Sequence, residues 1–425
     1  MTTPKRFNTG AEPIRTRTIL KPLMWLLSKP ETARHKQIIN KDPRLEGIKP
    51  PYLLLCNHNA FYDFKVATMA IFPQRANYVV AIDGFVGIPG RKWLMLQVGC
   101  ICKRKFVSDT RLVRQLMKVV ENGDIALFYP EARYSLCGTT AVLPESLGKL
   151  CKILKVPVVT LICHGHHINS PFWRFHDRNV KYTEADMNLV YTAEDVQTMS
   201  VDDINAGLVE AFQYDEYKWQ KDNNIRVEYP KRAEGLHKIL YQCPHCGTEY
   251  EMSSEGTKLK CVHCGRTWTM SELGELSADS GETEFTHIPD WYEWERLNVR
   301  KEVESKSYDS GELPVKIYSL PNAKHFSLGK GTLVHDMTGF TLKGTDFLNK
   351  PFEEHFPVQS KYSCHIEFDY HKKYGDCLDL STLEDTWFIA PQCRNFSLTK
   401  LALATEELYQ AYRKEIGKEC KPGLA

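Results

Sequence analysis

The chain has 425 residues, 42% of them apolar and 25% charged, with a formal net charge of +2. That length exceeds one compact core and suits two or three units, and that balance of residues excludes a disordered polymer. The charge is unevenly placed: residues 1–50 carry eleven Lys/Arg against four Asp/Glu, so the remainder is net acidic. A basic amino-terminal stretch on a near-neutral chain points to an anionic membrane surface as a partner.

Residues 1–45 read as a basic amphipathic segment. Within it, PIRTRTILKPLMWLLSK (13–29) predicts a short helix beginning at Pro22, with Ile19, Leu20, Leu23, Met24, Trp25, Leu26 and Leu27 as apolar positions. Lys21 and Lys29 are placed to reach lipid head groups. Lys21 and Pro22 interrupt the apolar run, which is far short of the ~20 residues a bilayer span needs. No export signal is visible, and fourteen Cys then argue for reduced thiols and metal ligation. The expected location is cytoplasmic, peripheral on the cytoplasmic face of the membrane.

From 46 to 230, short apolar runs alternate with helical stretches. Strands are expected at Tyr52–Cys56, Tyr78–Ala81, Cys100–Lys103, Ile125–Tyr129, Val156–Cys163 and Asn188–Tyr191, with helices at Thr110–Glu121, Leu147–Leu154 and Val201–Lys221. This is the pattern of an α/β unit with a mostly parallel sheet and flanking helices. Residues 238–272 hold two CxxC pairs, and 273–287 are acidic and small, hence an expected linker. Residues 288–425 read as strand-rich, with strands at Val315–Tyr318, Gly331–His335, Gly339–Leu342, Ser363–Asp369, Cys377–Leu380 and Thr386–Ala390 and a terminal helix at Leu401–Lys414. A small C-terminal β-barrel is expected there, a pleckstrin-homology-like barrel being one form.

The first constellation is Asn57-His58-x4-Asp63, directly after the apolar run Leu53–Cys56. Ligands of open α/β sheets bind at the carboxyl ends of strands. Five residues apart on a regular helix would put His58 and Asp63 about 140° apart. They meet only if His58 lies in the turn before a helix that Asp63 begins. An imidazole oriented by a carboxylate can take the proton of a hydroxyl. Three further blocks follow in order: Gly99 to Lys105 (GCICKRK), Tyr129 to Ser135 (YPEARYS) and Val156 to Leu161 (VPVVTL).

In this order the blocks resemble the motifs of the glycerol-phosphate/lysophosphatidate acyltransferase family, over roughly residues 15–195. The resemblance implies His58 as base, Asp63 as its orienting acid, and acyl-CoA or acyl-ACP as the thioester co-substrate. It implies a lysophospholipid acceptor, with 1-acylglycerol-3-phosphate converted to phosphatidate in phospholipid synthesis. It also implies that the basic residue ending the second block and the Arg of the third bind the acceptor's phosphate. The candidates are Lys103, Arg104 and Lys105, with Glu131 and Arg133. On a strand Lys103 and Lys105 share a face and Arg104 points elsewhere. Two departures stand out. Lys105 occupies the place of an Arg, and Glu131-Ala132-Arg133-Tyr134 replaces Glu-Gly-Thr-Arg, so Arg133 comes one place early. The same chemistry on another lysolipid or a glycolipid is the alternative, followed by a non-catalytic lipid- or nucleic-acid-binding adaptor, against which the intact His58/Asp63 pair argues. After the fourth block, Cys163, His164, His166 and His167 match no standard zinc spacing, and a loop beside the site is expected.

The second constellation is Cys243-x2-Cys246 with Cys261-x2-Cys264, fourteen residues between the pairs. This spacing predicts a zinc ribbon in which four thiolates close the coordination shell of a structural Zn²⁺. Lys258, Lys260 and Arg266 are offset by Glu249, Glu251 and Glu255, so no basic stripe forms and nucleic acid is not an expected partner.

Overall fold

The structure, a computed structural model, describes residues 4–425. Seven strands form the first sheet: β1 (Ile38–Lys41), β2 (Leu53–Cys56), β3 (Ala76–Ala81), β4 (Ile101–Lys103), β5 (Ile125–Phe128), β6 (Val158–His164) and β7 (Glu184–Tyr191). Their order is β1-β7-β6-β2-β5-β3-β4. The five strands from β6 to β4 are parallel, whereas β7 is antiparallel to β6 and carries β1 parallel to itself. β2 and β5 read as unbroken apolar runs because Leu53, Leu54, Leu55, Ile125, Ala126 and Leu127 are buried on both faces. β7 instead alternates, burying Ala185, Met187 and Leu189. β1 falls within the stretch expected as the amino-terminal segment.

The helix expected at Thr110–Glu121 has those bounds, and Asp109 caps it by accepting from the Arg111 amide at 2.9 Å. The single helix expected over Val201–Lys221 is two, Val201–Ala211 and Glu216–Asp222. Asp215 starts the second by accepting from the Lys218 amide, and the buried Glu216 carboxylate accepts from the His167 amide. A polar residue drawn into the interior thus interrupts an otherwise helical pattern.

The CxxC region forms a four-stranded antiparallel sheet: β8 (Met252–Glu255), β9 (Lys258–Cys261), β10 (Thr267–Met270) and β11 (Leu276–Ala278). β11 lies in the stretch expected as a linker. Leu276 is buried there, and Asp279 accepts from Lys258, Thr267 and Thr269, so this acidic segment is tied down. Residues Ile288–Glu304 form a helix at the start of the unit expected to be strand-rich, ahead of its first expected strand at Val315; it buries Ile288, Trp291, Tyr292, Glu295, Val299 and Val303.

Seven antiparallel strands complete the C-terminal unit: β12 (Leu313–Asn322), β13 (Lys324–Asp336), β14 (Gly339–Thr345), β15 (Pro351–Pro357), β16 (His365–Tyr370), β17 (Gly375–Ser381) and β18 (Thr386–Pro391). Their order is β15-β14-β13-β12-β18-β17-β16, so β12 joins a four-strand meander to a three-strand one. The sheet is antiparallel throughout, with β15 and β16 as its two edges. The terminal helix, Leu398–Glu415, packs on the helix Ile288–Glu304, reinforced by Arg296–Glu406 at 2.7 Å and Arg300–Glu407 at 2.6 Å. One apolar core runs from Trp268 through Trp291 to Leu401 and Ile389. A second cluster joins Tyr78 and Phe85 to Leu320 and Phe388, so the C-terminal unit is packed directly on the first sheet's unit.

Candidate active site

The site lies at the carboxyl edge of the parallel strands, around β2 and its neighbours β5 and β6. His58 sits in the turn after β2 and Asp63 opens the helix Asp63–Ile71. His58 Nδ1 lies 3.0 Å from Asp63 Oδ2. A carboxylate only accepts, so the proton sits on Nδ1 and the lone pair of Nε2 is left for a substrate. The same Oδ2 accepts from the amides of Asn59 at 2.7 Å and Ala60 at 3.0 Å, which fixes the turn. Asn57 locks that turn to β6, donating to the Cys163 carbonyl and accepting from its amide.

His166 completes the group, with Nδ1 2.6 Å from Asp63 Oδ1. Gly165, with φ +84°, makes the turn that brings His166 from β6 to the carboxylate. Burial pushes the Asp63 carboxyl up, but hydrogen bonds from His166 and His58 and their charge outweigh it and hold the pKa at about 2. Asp63 therefore stays anionic through the neutral range. The role of His166 was not read from the sequence. Its signal was a His placed just after a glycine at the carboxyl end of the strand next to β2. Among the described residues the His cluster forms no metal-binding group.

The third block clamps His58 by its backbone. Glu131 Oε1 accepts from the His58 amide at 3.1 Å, and the Ser135 amide donates to the His58 carbonyl at 2.8 Å. Burial raises the Glu131 carboxyl to about 7, against the Ala141 and His58 amides that favour its anion. Tyr129 and Tyr134 sandwich the imidazole, ring centroids 4.2 and 4.0 Å away, which fixes its plane. His58 opens onto a cavity of about 640 Å³. Its walls include Val79, Leu112, Leu116, Phe128 and Leu147, with Tyr362 and Tyr409 from the C-terminal unit. The wall also carries Lys103, Lys105, Lys149 and Arg413 against Asp109 and Glu145, so apolar surface for a chain and an excess of basic groups share one cavity.

Of the expected phosphate-binding residues, Lys103 and Lys105 line this cavity with His58, and Arg104, Glu131 and Arg133 do not. Lys103 lines the cavity and donates to the Val107 carbonyl at 3.2 Å. Arg104 turns away, buried against the C-terminal unit. It donates to the carbonyls of Leu320, Pro321 and Glu384 and to Thr386 Oγ1. Lys105 lies 3.1 Å from Asp379, 3.4 Å from Asp83 and 3.6 Å from Glu367. Burial lowers its ammonium pKa, but these carboxylates more than reverse the effect and keep it charged. Arg133 is buried and paired with Glu406 of the terminal helix at 2.8 Å. Glu131 and Arg133 thus act on different neighbours.

Residues 30–164 match the profile of the acyltransferase family. This segment is an acyltransferase domain. No curated protein matches the chain. Among solved structures it is similar to the crystal structure of the 1-acyl-sn-glycerophosphate (LPA) acyltransferase PlsC from Thermotoga maritima, at 13% identity and a TM-score of 0.38, over 45% of this chain and 76% of that one. The acyltransferase domain contains His58, Asp63 and the Glu131 clamp, while His166 lies two residues past the matched span.

Away from it, the Sγ atoms of Cys243, Cys246, Cys261 and Cys264 all lie within 4.8 Å of one another. Cys243–Cys264 and Cys246–Cys261 are each 3.8 Å apart. A tetrahedral metal with ~2.3 Å bonds to sulfur separates its ligands by about 3.8 Å, so the four thiols fit one ion.

Proposed function

We propose that this protein is an O-acyltransferase that moves a fatty acyl group from a thioester, on coenzyme A or acyl carrier protein, to a hydroxyl of a lysophospholipid-type acceptor. The observation carrying this reading is the 3.0 Å contact of His58 with Asp63, His58 lining a largely apolar cavity. Asp63 holds the proton on Nδ1, and Nε2 takes the acceptor's hydroxyl proton as its oxygen attacks the thioester carbonyl. Collapse of the tetrahedral intermediate breaks the C–S bond, and the imidazolium returns its proton to the departing thiolate. The acceptor implied by the motif order is lysophosphatidate, which would give phosphatidate. A different lysolipid or a glycolipid is favoured by one observation: Arg104, Lys105 and Arg133 are already engaged within the chain.

We read the four-cysteine site as structural Zn²⁺, because four thiolates leave no open coordination position. Bound there, the ion would hold the ribbon's two knuckles together. We also place the enzyme on the cytoplasmic membrane face, where fourteen unpaired thiols stay reduced. Among the described residues no helix is long and apolar enough to cross a membrane. Support for surface docking comes from exposed Ile19, Leu23, Trp25, Leu26 and Leu27, the last four on the helix Lys21–Arg34. Exposed Phe61, Phe64 and Phe72 continue this face, Trp25 lying 6.4 Å from Phe72. Lys29 is exposed at its margin, whereas Lys21 donates to the Pro73 carbonyl. Phe61 is three residues from His58, which sets the site beside the apolar face. Incubating the purified chain with a labelled acyl thioester and lysolipid vesicles should release free thiol and acylated lipid in equal amounts. Thiol release without acylated lipid would refute the reading.

A further inference from the structure

The two faces of the first sheet have different surroundings. On β2 successive side chains point to opposite faces. Leu54 and Cys56 pack with Val66 and Ala67 of the helix Asp63–Ile71, against which the helix Lys21–Arg34 lies. Leu53 and Leu55 pack on the other side with Leu116 and Leu147, from the helices Thr110–Glu121 and Ser146–Leu154. The exposed apolar residues of the proposed docking surface lie on the first face. The cavity beside His58 is walled instead by the two helices of the second. Its lining includes Lys149 and Ile153, both exposed, so it opens to water there. A bilayer seated on the first face leaves that opening free for a water-soluble substrate.

Charge indicates which substrate. The two helices carry Arg111, Arg114, Lys118, Lys149 and Lys152 against one acid, Glu121. Lys149 lines the cavity and, among the described residues, pairs with no carboxylate. Arg413 of the terminal helix lines it too, held by Glu145 at 2.7 Å. Between these cations and His58 the wall offers Leu112, Leu116, Leu150 and Phe128. Resting on the function proposed above, we propose that this cavity is the donor site, built for a thioester carried on a phosphopantetheine arm. The acyl chain lies on the apolar wall, the thioester carbonyl faces His58, and phosphate of the donor meets Lys149 and Arg413. The C-terminal unit completes this site through Arg413, Tyr362 and Tyr409.

The test measures KM of the full chain and of Lys149→Glu for three donors of one acyl length. These are palmitoyl-CoA, palmitoyl-acyl carrier protein and palmitoyl-N-acetylcysteamine, which carries no phosphate. The acceptor is the better of lysophosphatidate and lysophosphatidylethanolamine in vesicles, and circular dichroism and zinc content check the variant's fold. Reversing one charge beside a phosphate should raise KM for a phosphate-bearing donor about tenfold. KM for palmitoyl-N-acetylcysteamine and for the lysolipid should stay within about twofold of wild type. A rise with palmitoyl-CoA assigns the cations to the coenzyme's phosphates, and a rise with the carrier protein alone assigns them to the protein-borne arm. An unchanged KM for both phosphate-bearing donors would overturn the inference, as would an equal rise with all three donors. A rise in the lysolipid KM alone would place the acceptor at Lys149 and overturn it as well. Each of these leaves the proposed function standing, whereas wild-type transfer from none of the three donors would overturn both.

Discussion

Replacing Asp63 by Asn keeps the shape of the side chain and removes its charge. Asp63 Oδ2 accepts from His58, Asn59 and Ala60, and Oδ1 from His166. The amide oxygen should take the Oδ2 place, where three donors converge, and turn its NH2 toward His166. His166 can adapt by carrying its proton on Nε2, which lies 3.0 Å from Gln37 Oε1. The His58 tautomer survives, so the loss is that of an anion beside the forming imidazolium. Unit charges about 4 Å apart at an effective dielectric near 20 interact by about 4 kcal/mol, or roughly 10³-fold in kcat. The opposite amide rotamer would also impose the wrong tautomer, deepening the loss toward ~10⁴-fold. The folded-state pKa of about 2 lies below the ordinary carboxylate value of 3.8, so this group stabilises the fold above pH 4. That contribution, about 2 kcal/mol, fades as pH falls through 2. Asp63→Asn should thus unfold earlier in urea at pH 7, and the gap from wild type should narrow from pH 4 downward. A folded Asp63→Asn enzyme with kcat within about tenfold of wild type would refute the argument.

His166→Ala should lower kcat by about 10- to 100-fold with little change in KM, since it removes a charge-assisted hydrogen bond from Asp63 rather than a substrate contact; steady-state kinetics on one acceptor would read this split. Cys261→Ser should abolish bound zinc, measured by elemental analysis, and lower the unfolding temperature, because the buried Cys261 joins a core continuous with the C-terminal unit. The double change Leu26→Glu and Leu27→Glu should weaken sedimentation with anionic vesicles at least tenfold while activity on detergent-dispersed lysolipid stays close to wild type.

The His58–Asp63 contact was legible because strand, turn and helix follow within eleven residues, and the four cysteines because two CxxC pairs are local. The fates of Lys105 and Arg133 were not. Their partners Asp379 and Glu406 are more than 270 residues away along the chain and arrive only through tertiary packing. The helix Ile288–Glu304 did carry apolar residues three and four apart, but buried Glu295, which accepts from the Gln242 amide, interrupts that face. β15 was missed because an edge strand rich in Glu and bounded by Pro351 and Pro357 shows no alternating apolar face. β11 was masked by an acidic stretch whose charge is absorbed by Lys258 and two threonines.

The central claim is that the imidazole of residue 58 carries the proton in acyl transfer. The direct measurement is single-turnover acyl transfer by His58→Ala beside wild type, with zinc content and thermal unfolding measured on the same preparations. The expected result is product formation reduced to the uncatalysed background in a protein that remains folded and metal-loaded. Turnover at the wild-type rate in that variant would contradict the account.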